Sequence, residues 1–194
     1  MAETAKVVLC GPPQSGKSCL REGLKKAIRC IPGAPYPFAV TVNPDGEGSW
    51  FAETAQRDLT AATQYKNAYK TAFTPEFAMS RSEWVKNCRE PLAIFDVGGK
   101  ISSANKLIMQ YATHAVILAG DKSKIPAWQE FCTDLQLEII AIIHSDLYAV
   151  CDRIDSESPI LTGTIHRLQR GEDVSSRPMI QALARVLVGL GEVR

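Results

Sequence analysis

Eight residues, Gly11-Pro12-Pro13-Gln14-Ser15-Gly16-Lys17-Ser18, constrain this chain more than any other stretch. They match the pattern G-x-x-x-x-G-K-[ST] at every specified position. Such a loop has meaning only between a strand and a helix, and both are at hand. Lys6-Val7-Val8-Leu9-Cys10 is a short apolar run suited to a buried parallel strand, and residues 18–29 read as a helix. The spelling follows from anion chemistry. Glycines let several backbone N–H groups converge on one anion, and the helix N-terminus adds its partial positive charge. Gly11, Pro12, Pro13, Gln14, Ser15, Gly16, Lys17, Ser18 and the adjoining Cys19 are therefore expected around the phosphates of a nucleotide. Lys17 would reach the β- and γ-phosphates, and the Ser18 hydroxyl would sit on Mg²⁺.

The rest of the chain supplies the layers around that loop. A linker with Pro32, Gly33, Pro35 and Pro37 leads to a second strand, Phe38-Ala39-Val40-Thr41-Val42, which ends in Asn43-Pro44-Asp45-Gly46-Glu47-Gly48. Residues 50–72 carry Phe51, Ala55, Leu59, Ala62, Tyr65 and Tyr69 near helical spacing, and Pro75 is expected to stop that segment. Ser80 or Ser82 then caps a short helix through Trp84 and Val85. A third strand, Leu92-Ala93-Ile94-Phe95, runs into Asp96-Val97-Gly98-Gly99, and Ser102 or Ser103 opens the next helix. A fourth strand at residues 114–119, a helix at 126–135 and a fifth strand at 137–143 follow. Five apolar strands with helices between them predict an α/β three-layer sandwich around a mainly parallel sheet of about five strands. Residues 160–168 alternate partly around Gly163, predicting a short hairpin or extended edge strand before a closing helix at 176–188. With 194 residues and 45% hydrophobic content, residues 1–194 are expected to form one domain.

Composition removes several function classes. Net charge is +1 with acids and bases interspersed, so the bulk charge indicates neither nucleic acid nor an acidic membrane surface. Cys10, Cys19, Cys30, Cys88, Cys132 and Cys151 lie far apart with no C-x-x-C pair, a pattern of free thiols expected in a reducing cytoplasm. The first residues are too polar for a signal peptide, and no apolar run approaches the roughly 18 residues of a membrane span. A soluble cytoplasmic protein is the expectation.

A phosphate loop alone binds a nucleotide; phosphoryl chemistry needs a second acid for the metal. Asp96, after four apolar residues at the end of a strand, is the candidate, and with Ser18 it would hold Mg²⁺. Read as D-x-x-G, Asp96 to Gly99 also resembles a segment whose glycine N–H senses the γ-phosphate, which would make Gly98 or Gly99 the reporter. Asp45 and Glu47 are candidates for a base or a water-mediated metal contact if the second strand lies beside the first, although Asn-Pro-Asp-Gly is an excellent turn in its own right. Arg167 and Arg170, with Arg81 as competitor, are candidates to close on the triphosphate. His144 stands near the expected rim; His114 is placed at the opposite edge. Trp50, Trp84 and Trp128 read as packing residues. After the fourth strand the chain has Ala119-Gly120-Asp121-Lys122-Ser123-Lys124 where a guanine-specific switch protein would carry Asn-Lys-x-Asp, which favours ATP over GTP.

Gly11 to Ser18 together with Asp96 identifies the chain as resembling the P-loop NTPase superfamily over nearly its whole length. A narrower likeness rests on Gly-Pro-Pro-Gln-Ser-Gly-Lys-Ser, Asn-Pro-Asp-Gly-Glu-Gly, Asp96-Val97-Gly98-Gly99 and Thr162-Gly163-Thr164-Ile165-His166-Arg167-Leu168. That combination is similar to the ATPase-like domain that accompanies the CRISPR-associated ring nuclease degrading cyclic oligoadenylates. The resemblance implies a part in antiviral signalling and a ring-nuclease module or other CRISPR-associated protein as partner. Ten residues precede Gly11, so the nuclease module itself is not expected in this chain. Three functions compete: a triphosphatase whose γ-phosphate switches a partner, a small-molecule or nucleotide kinase with Asp45 as base, and a nucleotide-holding module that recruits or forms a homo-oligomer.

Overall fold

In a computed structural model the described residues are 4–43 and 74–191. Strand β1 (Ala5–Cys10) is buried at every position and leads through the glycine loop into α1 (Lys17–Arg29). There follow β2 (Pro37–Thr41), α2 (Pro75–Asn87), β3 (Leu92–Asp96), α3 (Ser103–Met109), β4 (His114–Ala119) and α4 (Ile125–Asp134). The chain ends in β5 (Glu138–Asp146), β6 (Arg153–Ser156), β7 (Leu161–His166) and α5 (Pro178–Gly191). The strands form one sheet in the order β2-β3-β1-β4-β5-β7-β6, parallel except for the β6–β7 pair.

Alternation along the central strands explains the three layers. Successive side chains of a strand point to opposite faces, and here both faces are apolar. Val7 and Leu9, Leu92 and Ile94, Val116 and Leu118 face α1 and α5, meeting Leu20, Leu24, Ile28, Leu183 and Leu187. Val8, Cys10, Ala93, Phe95, Ala115 and Ile117 face the other way, toward Val85, Ile108, Met109, Trp128 and Cys132. Trp84, partly buried, packs edge-on against Phe38 and Phe95, and the buried Trp128 against Phe131, so both are packing residues. All six cysteines are free; the Cys10 and Cys132 sulfurs lie 3.7 Å apart, and that hydrogen bond and then burial hold the Cys10 thiol well above its usual range.

Several expectations need correction. The five strands read from the sequence are β1 to β5 and the extended segment at 160–168 holds β7; the seventh, β6, went unread because it is a short edge strand whose residues alternate between exposed and half-buried and so carry no apolar run. β7 is not an edge: it pairs in parallel with β5 and carries β6 outside it. Gly163 marks the close approach of β6, since a Cβ there would stand 2.1 Å from the Arg153 carbonyl oxygen. Neither Ser80 nor Ser82 caps α2. The cap is Thr74, whose hydroxyl accepts from the Phe77 N–H at 3.2 Å, and Pro75 opens the helix at a position where its missing N–H costs nothing. Ser82 lies inside the helix and donates to the Leu107 carbonyl. Finally, β2 does not lie beside β1; β3 runs between them. The predicted helix at 50–72, with Trp50, falls outside the described residues.

Candidate nucleotide site

The site is assembled by the register of the two central strands. Leu9 pairs with Asp96, so β3 ends just where β1 passes into the glycine loop. Gly11 has φ 129°, a backbone region that side chains disfavour, and a Cβ there would stand 1.9 Å from the Leu118 carbonyl oxygen. The loop can therefore take this path against the end of β4 only with glycine. Within it the Ser15 hydroxyl donates to Pro12 O at 2.9 Å. Beneath it lies Leu168, 2.8 Å from the place a Gly16 Cβ would occupy.

Lys17, only 8% exposed, turns back along the loop and donates to Gly11 O at 2.9 Å and Pro12 O at 2.8 Å. A buried ammonium needs such acceptors, and phosphate oxygens are stronger ones of the same kind. One residue on, the Ser18 hydroxyl donates to Asp96 Oδ2 at 2.8 Å, and Asp96 is 3% exposed. This hydroxyl–carboxylate pair is a hard oxygen donor set, which suits Mg²⁺ held through one or two protein ligands plus phosphates. Among the described residues no group of three or more His, Cys, Asp and Glu stands at metal-binding distance.

The segment after Asp96 closes onto the same loop. A Cβ on Gly99 would stand 2.6 Å from Pro13 N, so the Asp-Val-Gly-Gly turn rests on the phosphate loop itself. Asn43, at the tip of β2, brings its Oδ1 close to Gly98. Asp45 and Glu47, two residues and more beyond, lie outside the described residues.

On the other side, β7 delivers residues 167–172 to the start of α1. Arg167 is exposed, with φ 38°, and its N–H donates to Asp146 O at 2.8 Å. Arg170 is exposed too, and its charge reaches Cys19, where it opposes the burial that pushes that thiol up. His144 is on the rim, its Nε2 3.2 Å from Gly120 O. His114 sits at the opposite, N-terminal end of its strand beside Thr113. Arg81 lies over the rings of Phe77 and Trp84 at 5.0 and 5.1 Å.

Three supporting residues escaped the sequence reading. Asp152 has a fully enclosed side chain and accepts from His166 Nδ1 at 2.6 Å, His166 N at 3.0 Å and Met179 N at 3.0 Å. It thereby ties the ends of β7 and α5 together. Arg177 donates to the carbonyl oxygens of His166 and Arg167 and to Glu172, holding the turn after β7. Asn105 holds the Asp-Val-Gly-Gly segment from behind. Each acts across a gap in sequence with no local motif to betray it.

Strand, glycine loop and helix, with an acid at the end of the neighbouring strand in a mostly parallel sheet, define a P-loop NTPase-like fold. No protein-family model matches the chain, and no characterised protein matches it in sequence. Among solved structures, its fold is similar to that of a chain assigned as a plasmid partition protein from Borrelia burgdorferi B31, crystallised with AMPPNP. The TM-score is 0.60 at 10% sequence identity, over 97% of this chain and 99% of that one. That likeness bears on the fold and brings no support to the narrower tie to the ring-nuclease-associated domain. Among the described residues no helix is long and apolar enough to cross a membrane.

Proposed function

We propose that residues 1–194 act as one nucleotide-binding domain that binds a Mg²⁺-nucleoside triphosphate, ATP before GTP, and hydrolyses it to switch a partner. The observation that carries this reading is the Ser18–Asp96 hydrogen bond of 2.8 Å beside the buried Lys17 ammonium. Hydroxyl, carboxylate and ammonium converge on the mouth of one glycine loop. The AMPPNP held by the structural neighbour lends support to nucleotide binding here.

In this reading the backbone N–H groups of residues 13–19 cradle the phosphates, and Lys17 exchanges its loop carbonyls for phosphate oxygens, neutralising charge that grows toward the transition state. Ser18 and Asp96 would hold Mg²⁺, which when bound supplies further charge neutralisation on the phosphate oxygens. The contact of Gly99 with Pro13 favours a switch over a kinase, because it sets a backbone N–H segment against the phosphate loop where a γ-phosphate would end. Arg167 and Arg170 stand on the far side of the loop as candidates for charge stabilisation. Asp45 remains a candidate base. A partnership with a CRISPR-associated ring nuclease rests on the sequence resemblance alone.

The test is ATP consumption by the purified protein with Mg²⁺, beside Lys17→Ala, with and without a metabolite extract. Phosphate release into water that the substitution abolishes and the extract leaves unchanged supports the switch triphosphatase. Label moving to a small molecule only with extract would replace it with a kinase. Tight binding without turnover would leave the recruiting module.

A further inference from the structure

Gly98 lies between two amide side chains. A Cβ on it would stand 2.9 Å from both Asn105 Nδ2 and Asn43 Oδ1, and 3.1 Å from Asn105 Oδ1. Asn105, on α3, is 1% exposed. Its Nδ2 donates to Gly98 O at 2.8 Å and to Lys100 O at 2.7 Å. Both amide protons are thereby used, and the amide cannot be turned over without setting Oδ1 against two carbonyl oxygens. Oδ1 is left buried without a hydrogen-bond partner, the one such side-chain atom among the described residues. Buried acceptors are seldom left in that state, and each instance asks for an explanation.

The peptide between Gly98 and Gly99 supplies one. It is trans, since the cis peptide among the described residues is Ser158-Pro159, and in a trans peptide the C=O and N–H point in opposite directions. With Gly98 O held by Asn105, the Gly99 N–H is turned away from Asn105, while Gly99 itself lies on Pro13. Rotating this peptide would exchange the two groups and bring the Gly99 N–H to the side of Asn105. Its waiting partner there is Oδ1. Glycine on both sides leaves the rotation open, because neither residue has a Cβ to restrict it.

We propose that Asn105 is a two-state latch on the Gly98–Gly99 peptide. In one state Nδ2 holds the Gly98 carbonyl and frees the Gly99 N–H for the terminal phosphate of a bound triphosphate. In the other Oδ1 takes that N–H. This deepens the function proposed above and rests on it. Asn105 touches no nucleotide; it is a positioning residue, and its two amide atoms give the loop two defined arrangements that the γ-phosphate chooses between.

The experiment titrates Mg-AMPPNP and Mg-ADP, with their guanine counterparts in parallel, into the wild-type chain and Asn105→Asp. It also follows the Asn105 side-chain NH₂ signals of the wild type by ¹⁵N NMR in each nucleotide state. The substitution takes away the donor to Gly98 O and keeps an oxygen for the Gly99 N–H, so it is expected to lower the preference for triphosphate over diphosphate by about tenfold, the net worth of roughly one hydrogen bond, with diphosphate affinity within about twofold. In the wild type the Asn105 NH₂ signals are expected to move between the two states. Equal losses for both nucleotides, or NH₂ signals identical in both states, would overturn the latch and leave the proposed function standing. The NMR arm decides even if Asn105→Asp does not fold. Wild-type protein that binds none of the four nucleotides would instead overturn the proposed function, and the latch with it.

Discussion

A methyl group added at Gly99 would land 2.6 Å from Pro13 N and 2.7 Å from Pro13 Cα, both backbone atoms of the phosphate loop. Non-bonded heavy atoms settle at about 3.5–4.0 Å, and no side chain can swing aside to make the room. In Gly99→Ala the two loops must therefore part by about 1 Å. Asp96 is three residues back on the same segment, and its carboxylate reaches Ser18 over only 2.8 Å, so the displacement enters the pair proposed to hold the metal. A misplacement of about 1 Å costs on the order of 10²-fold in rate at a catalytic centre. The core strands beneath the loop are untouched, so the stability loss should stay near the ordinary value for a point substitution, about 1 kcal/mol. The assay is phosphate release at saturating Mg-ATP with melting measured in the same buffer. Turnover within about threefold of wild type would refute the reasoning: the Asp-Val-Gly-Gly turn would not press on the phosphate loop, and the place of Asp96 in the site would fall with it.

Other predictions follow from single contacts. Gly189, exposed in α5, has nothing within 4 Å of an added Cβ; Gly189→Ala should stabilise by about 1 kcal/mol through helix propensity alone and raise Tm by about 2–4 °C, with nucleotide binding unchanged. Asp152→Ala removes the enclosed carboxylate that holds three donors at the ends of β7 and α5, and urea titration should show a loss of about 3 kcal/mol. Asp173 accepts from the Ser175 hydroxyl and N–H and from Lys26, which together draw its carboxyl from 3.8 down to about 2. A depressed folded value means its stabilisation is present above pH 3.8 and is lost as pH falls toward 2. Melting followed between those limits should accordingly fall less steeply in Asp173→Asn than in wild type.

The sequence was enough to place the glycine loop between β1 and α1 and Asp96 at the end of a strand, because those positions are written in short-range spacing. A loop of this spelling works only between an apolar strand and a helix, and strand alternation with both faces apolar already requires helices on each side. Ser102 could be read as the cap of α3 for the same reason: it accepts from a backbone N–H three residues away. Where local signals competed, the reading slipped. Ser80, Ser82 and Thr74 can each cap a helix, and only Thr74 accepting from Phe77 tells which of them opens α2. β6 has no apolar run because an edge strand that faces solvent needs none. The placement of β3 between β1 and β2, the enclosure of Asp152 under His166 and Met179, and the two-carbonyl grip of Asn105 came from the tertiary structure alone. Strand order and buried polar partners depend on which surfaces meet across dozens of residues, whereas spacing in a sequence records only what a residue does to its near neighbours.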